Sequence, residues 1–359
     1  MHKKLFIPGP IDVKEDVLEK MSTQQIGHRS KEASDLQRRI SEKLQKIFYT
    51  KNAILLSTSS GSGLMEGSIR SVTRKRAAIF SVGAFGDKWF KMAQSNGVPA
   101  DKFSSTPGKP TTPKMVDEVL STGKYDVITV THNETSTGIT NPVGEIGKLL
   151  KQKYPDILFL VDSVSSMGGA KIETDSWGID INITSSQKCL GLPPGMAICS
   201  VSDRAIDAGR QVKNRGMYFD IVKLYDYFKK KDHQYPSTPS IPHMFALDYQ
   251  LDRILEEGLE NRYRRHLKMA EYVRDWTRRN FELFVEDERY LSNTVTTIKN
   301  TKKIDIDDLN RELEYRGFMI SNGYGKLKDL TFRISHMADY DLEDVVELLE
   351  NIDDILDLK

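Results

Sequence analysis

Ile157-Leu158-Phe159-Leu160-Val161 is an apolar run that leads directly into Asp162. The run is too short for a helix, and its unbroken apolar character is typical of a strand buried on both faces. Segments with helical periodicity separate several such runs, for example 32–47 and 144–153. Strands that alternate with helices predict an α/β fold with a mostly parallel, doubly wound sheet. Comparable runs occur at 53–56, 77–80, 127–130, 179–183 and 196–199.

The character of the sequence changes near residue 245. From 246 to 281 the pattern is long, charged and helical, and it predicts a long helix that connects two domains. The elements expected after this helix belong to a smaller α+β domain. We therefore predict a large domain over 16–257 and a small C-terminal domain over 258–359. The expected elements are a strand at 294–298, a helix at 305–315, a strand at 330–334 and an acidic helix at 341–358.

Composition excludes several classes of protein. Lys plus Arg (52) nearly balances Asp plus Glu (51), and a net charge of +1 creates no field that would attract nucleic acid. No apolar run is long enough to span a membrane, and the apolar stretch near the start is too short for a signal peptide. The two cysteines, Cys189 and Cys199, form no metal-ligand pattern and fit a reducing compartment. We expect a cytoplasmic protein without a metal.

Asp162 and Lys188 both follow apolar strands, at the sheet edge where open α/β sheets bind their ligands. Alone, an Asp in this place is more often a helix cap, and a Lys is more often a solvated surface residue. Together they suit one cofactor. A carboxylate beside a pyridine nitrogen keeps that nitrogen protonated, while a lysine amine binds the cofactor covalently and later moves a proton.

Ser59-Ser60-Gly61-Ser62-Gly63 follows a predicted strand and opens a predicted helix. Small residues let backbone N–H groups approach a phosphate, and the helix dipole favours the anion. Such a turn is weak evidence by itself. It lacks the spacing of a dinucleotide-binding fingerprint and the lysine of a nucleotide-binding P-loop.

These features resemble the class V pyridoxal-phosphate (PLP) aminotransferases, specifically the alanine–glyoxylate and serine–pyruvate branch. The resemblance covers nearly the whole chain. It implies PLP fold type I, with a mostly parallel seven-stranded sheet, and a homodimer with active sites at the subunit interface. The motifs that carry it are Pro8-Gly9-Pro10, His132-Asn133-Glu134-Thr135-Ser136-Thr137-Gly138, Val161-Asp162-Ser163-Val164-Ser165, Ser185-Ser186-Gln187-Lys188, Pro193-Pro194-Gly195 and Phe332-Arg333-Ile334-Ser335-His336-Met337.

The resemblance also implies a role for each matching position. Lys188 is the Schiff-base lysine and Asp162 pairs with the pyridinium nitrogen. Thr135 donates to the ring hydroxyl oxygen, and Val164 packs on one ring face. Phe85 takes the place of the aromatic residue that stacks on the ring, where many relatives have Trp; Phe keeps the stacking area but lacks the indole donor. The residues that would hold the phosphate are Ser60, Gly61, Ser62 and Gln187 and, from the other subunit, Tyr235 and Thr238.

Arg333 and Gly9 are the substrate-binding positions that the resemblance implies. Arg333 would bind the substrate carboxylate through a bidentate fork, which a lysine could not reproduce. Gly9 lies in an N-terminal arm (1–15) that would reach the active site, and only a residue without a side chain permits that approach.

Gly27-His28-Arg29-Ser30 leaves the choice of substrate open. A similar His-Arg pair contacts the substrate phosphate in phosphoserine aminotransferases, so His28 and Arg29 favour phosphoserine or a dicarboxylate. The alternative is that the pair docks or caps the first long helix. The remaining motifs favour alanine or serine as donor and glyoxylate or pyruvate as acceptor.

Two other classes of protein share the fold. Cysteine desulfurases have His before the lysine and a reactive cysteine in the second half, whereas this chain has Gln187 and no cysteine after Cys199. A non-catalytic scaffold would usually have lost the lysine or the carboxylate. A persulfide-forming lyase and an inactive scaffold are therefore disfavoured.

Overall fold

The computed structural model describes residues 2–358, so Met1 and Lys359, the outer ends of the predicted arm and small domain, lie outside the described residues. The strands are β1 (Lys4–Phe6), β2 (Ala53–Ser57), β3 (Ala77–Ser81), β4 (Ala100–Ser104), β5 (Val127–Thr131), β6 (Asn133–Glu134), β7 (Ile139–Thr140), β8 (Leu158–Asp162), β9 (Ile181–Ser185), β10 (Ala197–Val201), β11 (Glu282–Leu283), β12 (Val295–Lys299), β13 (Phe318–Asn322) and β14 (Thr331–Ser335).

The helices alternate with these strands through the first half of the chain and lengthen in the second half. They are α1 (Glu15–Lys20), α2 (Lys31–Phe48), α3 (Gly61–Val72), α4 (Ala84–Ser95), α5 (Pro113–Leu120), α6 (Val143–Lys153), α7 (Asp203–Arg210), α8 (Ile221–Lys230), α9 (Ile241–Glu257), α10 (Leu259–Asn280), α11 (Ile306–Tyr315) and α12 (Leu342–Leu356).

A seven-stranded sheet forms the centre of the first 257 residues, in the order β2-β10-β9-β8-β5-β3-β4. All neighbouring strands from β9 to β4 are parallel, and β10 is antiparallel to both β9 and β2. The predicted α/β class with a mostly parallel seven-stranded sheet is thereby confirmed. Within this sheet, the sequence did not reveal β4, which is a half-exposed edge strand containing Asp101 and Lys102 rather than an apolar run.

Both faces of this sheet are covered, as the continuous apolar strands predict. In β8, Phe159 and Val161 pack into the core cluster that contains α2, whereas Leu158 and Leu160 pack into the cluster that contains α3. The strand is therefore held from both sides, which leaves little freedom for the carboxylate of Asp162 at its end.

A second sheet of five strands, in the order β1-β13-β14-β12-β11, belongs to the C-terminal part of the chain. Its first strand comes from the N-terminal arm, because β1 pairs in parallel with β13 from Lys4 opposite Phe318 to Phe6 opposite Ile320. Helices α10, α11 and α12 contribute to the apolar core beside this sheet. The arm is therefore tied to the five-stranded sheet before it turns toward the seven-stranded one.

The predicted long helix over 246–281 is wrong as a single element. It is divided into α9 and α10 at Gly258, whose φ of +81° is a conformation that favours glycine. The predicted domain boundary at 257 coincides with the end of α9; the division into domains itself stays a prediction. None of the helices described between residues 2 and 358 has the length and apolarity needed to cross a membrane.

Candidate active site

Asp162 and Lys188 meet at the carboxyl edge of the seven-stranded sheet. Asp162 is the last residue of β8 and pairs with Ile183 of β9, and Lys188 follows the end of β9. Parallel neighbouring strands such as β8 and β9 have their carboxyl ends at the same edge of the sheet. Because Asp162 and Lys188 each lie at or just after the end of one of these strands, their side chains lie close together.

Lys188 is buried, with 9% of its surface exposed, and its Nζ donates to the carbonyl oxygen of Pro8. Burial lowers the pKa of this amine to about 8, helped by the cations Arg333 and Lys88 and opposed by Cys189 and Asp162. A lysine amine in this range is available in its neutral, nucleophilic form near neutral pH, which an ordinary surface lysine is not.

Gly9 lies directly against Lys188. A Cβ at this position would lie 2.8 Å from Lys188 Nζ and 2.9 Å from the carbonyl oxygen of Gln187, and the φ of +99° also disfavours a side chain. The arm therefore reaches the lysine only because residue 9 is a glycine.

Asp162 is 3% exposed, and its Oδ1 accepts a hydrogen bond of 2.9 Å from the backbone N–H of Val164. Burial raises the pKa of this carboxyl to about 7; the Val164 N–H opposes the rise, Glu134 adds to it, and Lys188 and Lys88 oppose it. A cation placed beside this carboxyl would restore its charge. A protonated pyridine nitrogen is such a cation.

The turn at residues 59–63 forms the start of α3, with Ser60 as the N-cap residue in an extended conformation. Ser60 makes no side-chain cap, so the first N–H groups of the helix have no side-chain acceptor from it. At Gly61 a Cβ would lie only 2.6 Å from Cγ2 of Val164, which joins this turn to the loop after Asp162. The geometry is that of an anion site at a helix N-terminus.

Two buried polar atoms lack partners among the described residues, namely Oγ of Ser185, which lies against Gly61, and Oε1 of Gln187, the residue before Lys188. Buried polar atoms are normally hydrogen-bonded. Their place beside a free helix N-terminus, a low-pKa lysine and a buried carboxyl fits a phosphorylated aldehyde such as PLP. The residues present are therefore suited to that cofactor.

Arg333, in β14, is 6% exposed and faces the same site. Its guanidinium donates only to backbone carbonyls, to Asn322 at 3.2 and 3.0 Å and to Thr135 at 3.2 Å. Burial lowers the pKa of Arg333 to about 10. No carboxylate among residues 2–358 forms an ion pair with it, so it is suited to the carboxylate of a ligand.

The sequence matches the class V aminotransferase family over residues 12–347. An uncharacterized aminotransferase of Methanocaldococcus jannaschii is 37% identical over 94% of this chain and 88% of its own length. The serine–glyoxylate aminotransferase of Arabidopsis thaliana is 30% identical over 98% and 90%. The chain belongs to the class V aminotransferases. The crystal structure of alanine–glyoxylate aminotransferase from Nostoc sp. has a TM-score of 0.91 and 28% identity over 99% of this chain and 96% of that one.

The aminotransferases of this family use PLP. Thr135 is buried, and its Oγ1 lies 2.5 Å from Oγ of Ser165, in the loop that follows Asp162. Phe85 is the second residue of α4, and its N–H donates to both carboxylate oxygens of Glu134 at 3.1 and 3.2 Å. Thr135 thus lies beside the loop after Asp162 and Phe85 beside Glu134, and their predicted contacts with the cofactor stay predictions.

Glu134 is a site residue whose role the sequence did not reveal. It is fully buried and also accepts from the N–H of Gly86 and from both the N–H and hydroxyl of Ser136. Burial raises the pKa of its carboxyl, and these donors oppose the rise. Because Glu134 binds the first turn of α4, it holds Phe85 in position.

The sequence also provided no indication that Lys88 and Tyr324 belong to the candidate site. Lys88 Nζ donates to Oγ of Ser62 at 2.5 Å and lies 5.8 Å from the ring centroid of Phe85, which brings a cation to the predicted phosphate site. Tyr324 stacks on Phe85 with centroids 5.7 Å apart and lies 5.5 Å from the guanidinium of Arg333. A lysine on a helix and a tyrosine in a loop give no sequence signal for such positions.

Tyr235 and Thr238 lie in a loop that packs on the same chain. Tyr235 is 3% exposed, and its hydroxyl accepts from the N–H of Thr58 at 3.1 Å. Thr238 is exposed and makes no hydrogen bond with the described residues. Within one chain, Tyr235 therefore supports the strand end before the phosphate turn. The predicted contacts with a partner subunit's phosphate stay predictions.

Arg29 binds the same loop. Its guanidinium donates to the carbonyl oxygens of Tyr235 and Pro236, the latter at 3.3 Å, and to the side chain of Gln234 at 3.4 Å. The structure thus brings Arg29 to the Tyr235 loop. Ser30, not His28 or Arg29, caps α2, since its hydroxyl accepts from the N–H of Ala33.

Proposed function

We propose that this aminotransferase moves the amino group of alanine or serine to glyoxylate or pyruvate in two half-reactions, with PLP bound to Lys188. The observation that carries the proposal is one site containing both a buried lysine with a lowered pKa and a buried arginine without a carboxylate partner. The first suits proton transfer and the second suits an amino or 2-oxo acid. Two of the matched relatives named above act, by their names, on serine or alanine and glyoxylate.

PLP, when bound, supplies an electron-accepting ring conjugated with the substrate amine. The carboxylate of Asp162 would hold the proton on the ring nitrogen. Ser60, Gly61, Ser62, Gln187 and the cation of Lys88 would hold the phosphate. Phe85 and Val164 would face the two sides of the ring, and Thr135 would donate to the ring oxygen.

Lys188 would move the proton between the substrate α-carbon and the cofactor, since its amine lies at the centre of the site and changes protonation near neutral pH. Arg333 would bind the substrate carboxylate. The arm around Gly9 covers Lys188 and excludes water from that side. Tyr324 narrows the space between Phe85 and Arg333, which favours donors with small side chains.

A panel of donors and acceptors tests this assignment. We expect alanine and serine, paired with glyoxylate or pyruvate, to give a kcat/KM at least about tenfold above that for phosphoserine, aspartate or glutamate with 2-oxoglutarate, since one mismatched group in a pocket costs about 1–3 kcal/mol. A preference for phosphoserine or a dicarboxylate would replace the small-donor assignment by the alternative that His28 and Arg29 raise. Release of more than one pyruvate per site from serine without an acceptor would indicate a lyase of the same fold, since transamination alone stops after one half-reaction.

Substitution of Arg29 separates the two substrate classes directly. Because its guanidinium is engaged by the loop carbonyls, we expect Arg29→Ala to impair charged and uncharged donors alike. If Arg29 instead binds a distal anion, KM for phosphoserine or glutamate should rise roughly tenfold or more, as a hydrogen bond to a charged group contributes about 1.5–3 kcal/mol. Alanine turnover would then hardly change. Arg39→Ala, another arginine of the same region with an exposed side chain, is the control.

We also propose a homodimer with shared sites. Support comes from the surface around Tyr235, where Met217 (79% exposed) and Tyr218 (49% exposed) are exposed large apolar side chains and the next residue, Phe219, lies against Gly63 of the turn. Thr238, exposed in the same loop, is free to contact a partner. A cytoplasmic location likewise stays a prediction, supported by two buried free cysteines.

Mixing two inactive variants tests the sharing. Thr238→Glu would place a carboxylate against the phosphate of the site that residue 238 serves. Combined one to one with Lys188→Ala subunits, it should restore about a quarter of wild-type activity, because half of the dimers are hybrid and each hybrid has one intact site. Tyr235 is left unchanged, since its hydroxyl is used within its own chain. Exchange of subunits without any recovery would show that Thr238 acts only in its own subunit.

A further inference from the structure

Arg262, Arg274 and Arg333 are arginines with less than a tenth of their surface exposed. Arg262 is compensated by carboxylates, with Glu257 at 2.7 Å and Asp339 at 3.0 Å. Arg333, as described above, has no carboxylate partner among the described residues, and the proposed function gives it one from the substrate. Arg274 also lacks a carboxylate partner among the described residues, but it lies outside the candidate active site.

Arg274 projects from α10 and is 8% exposed. Its Nη2 donates to the carbonyl oxygen of Ser292 at 2.7 Å and to Oδ1 of Asn293 at 3.0 Å. Within residues 2–358, neither Nε nor Nη1 has a hydrogen-bond acceptor, and no carboxylate forms an ion pair with the guanidinium. Burial lowers the pKa of Arg274 to about 10, as it does for Arg333. A buried cation in this state costs free energy unless an anion compensates it.

A cavity of about 350 Å³ lies beside Arg274. One wall comes from α10 and the segment up to Thr294, and the other from the loops after β5 and β8. The other charged groups of the wall are already paired: Arg289 with Asp287, Lys171 with Glu173 and Glu260, and Glu288 with Arg278. Arg274 is therefore the charged residue of this wall that forms no ion pair within residues 2–358, and it is positive. The carboxylates of Glu271 and Glu288 are near enough to favour its charge, but neither pairs with it directly.

Neutral polar residues complete the wall. Asn133, Ser166 and Thr294 are buried residues that line it, and the side chain of His132, which bonds to Ser166 at 2.8 Å, is kept neutral by burial. The hydroxyl of Thr294 already donates to the carbonyl oxygen of Ser165, and Asn133 donates to Thr294, so the free donors are those of Arg274. A guanidinium with free N–H groups is suited to a carboxylate.

We propose that this cavity is a second anion site, distinct from the catalytic one, which binds a small carboxylate through Arg274. The site goes beyond the proposed function and does not depend on turnover. Its wall is shared with the catalytic site through one loop: Ser165 bonds to Thr135 on the cofactor side, while Ser166 bonds to His132 on the cavity side. A bound carboxylate would join the two domains across that loop.

Equilibrium dialysis of radiolabelled malonate against the PLP-loaded enzyme tests the site. The measurement uses the Arg333→Gln background, in which the substrate carboxylate loses its partner, so that binding elsewhere is counted. We expect about one malonate per chain in this background. Addition of Arg274→Gln should weaken binding tenfold or more, whereas Arg264→Gln, an exposed arginine of the same helix, should leave it unchanged.

The Asn293→Asp variant distinguishes a specific loss of malonate binding from a loss caused by unfolding. It places a carboxylate where Nη2 of Arg274 already finds Oδ1 at 3.0 Å, so Arg274 gains a permanent partner. We expect this variant to bind malonate at least tenfold more weakly while its melting temperature stays equal or rises. Absence of malonate binding in Arg333→Gln, or binding that persists after both Arg274→Gln and Asn293→Asp, would overturn the proposal.

Discussion

Lys188→Ala should lose transamination by about 10⁴-fold or more, because covalent attachment and proton transfer both disappear, and proton transfer alone contributes about 10²–10⁴-fold. The buried amine has no substitute nearby except Lys88, which is engaged by Ser62. Steady-state rates with alanine and glyoxylate measure the loss.

Mass spectrometry identifies the attachment directly. After borohydride reduction of the wild-type enzyme, the pyridoxyl adduct should lie on the peptide that contains Lys188. Lys114→Ala, which removes a lysine whose side chain is 86% exposed, is the matched control and should behave as wild type. An adduct on another lysine would refute the assignment of Lys188.

Asp162→Asn should retain PLP but slow both half-reactions by about 10²–10³-fold, the usual cost of removing one preorganised electrostatic partner. The amide has nearly the size of the carboxyl, yet it cannot stabilise a protonated ring nitrogen. Stopped-flow spectra with alanine, and then with glyoxylate, report each half-reaction, and the absorption band of the bound cofactor should shift.

The matched control is Asp117→Asn, a surface carboxylate paired with Lys153. Normal half-reactions in Asp162→Asn would mean that another acid, for which Glu134 is the buried candidate, serves the ring nitrogen.

The elements that the sequence predicts well are those whose signal is local. Central strands such as β8 are buried on both faces and consist of apolar residues, so they stand out. The edge strand β4 and strand β13 do not, since adjacent polar residues (Asp101 and Lys102 in β4, Ser321 and Asn322 in β13) interrupt their apolar character. The break at Gly258 was missed because helical periodicity continues on both sides of one residue with a positive φ.

The residues of the candidate site likewise fall into those with a local sequence signal and those without one. Asp162, Lys188 and Gly61 follow strands and belong to contiguous motifs. Lys88, Glu134 and Tyr324 act through contacts with residues distant in the chain, and an isolated lysine or tyrosine carries no mark of such a contact. Arg274 is the hardest residue to identify from the sequence, because it stands out only by the absence of a carboxylate partner, which the folded structure alone reveals.

The pairing of β1 with β13 has a consequence for the order of events during synthesis. Strand β1 is translated before β13, so its backbone N–H and C=O groups cannot form their hydrogen bonds with β13 until Phe318–Asn322 has been synthesised. Until then Pro8 and Gly9 have no fixed place over Lys188, although the sheet that carries the lysine is already translated. Nascent chains arrested before residue 318 should therefore leave Lys188 open to amine-modifying reagents, and release of the finished chain would close that access.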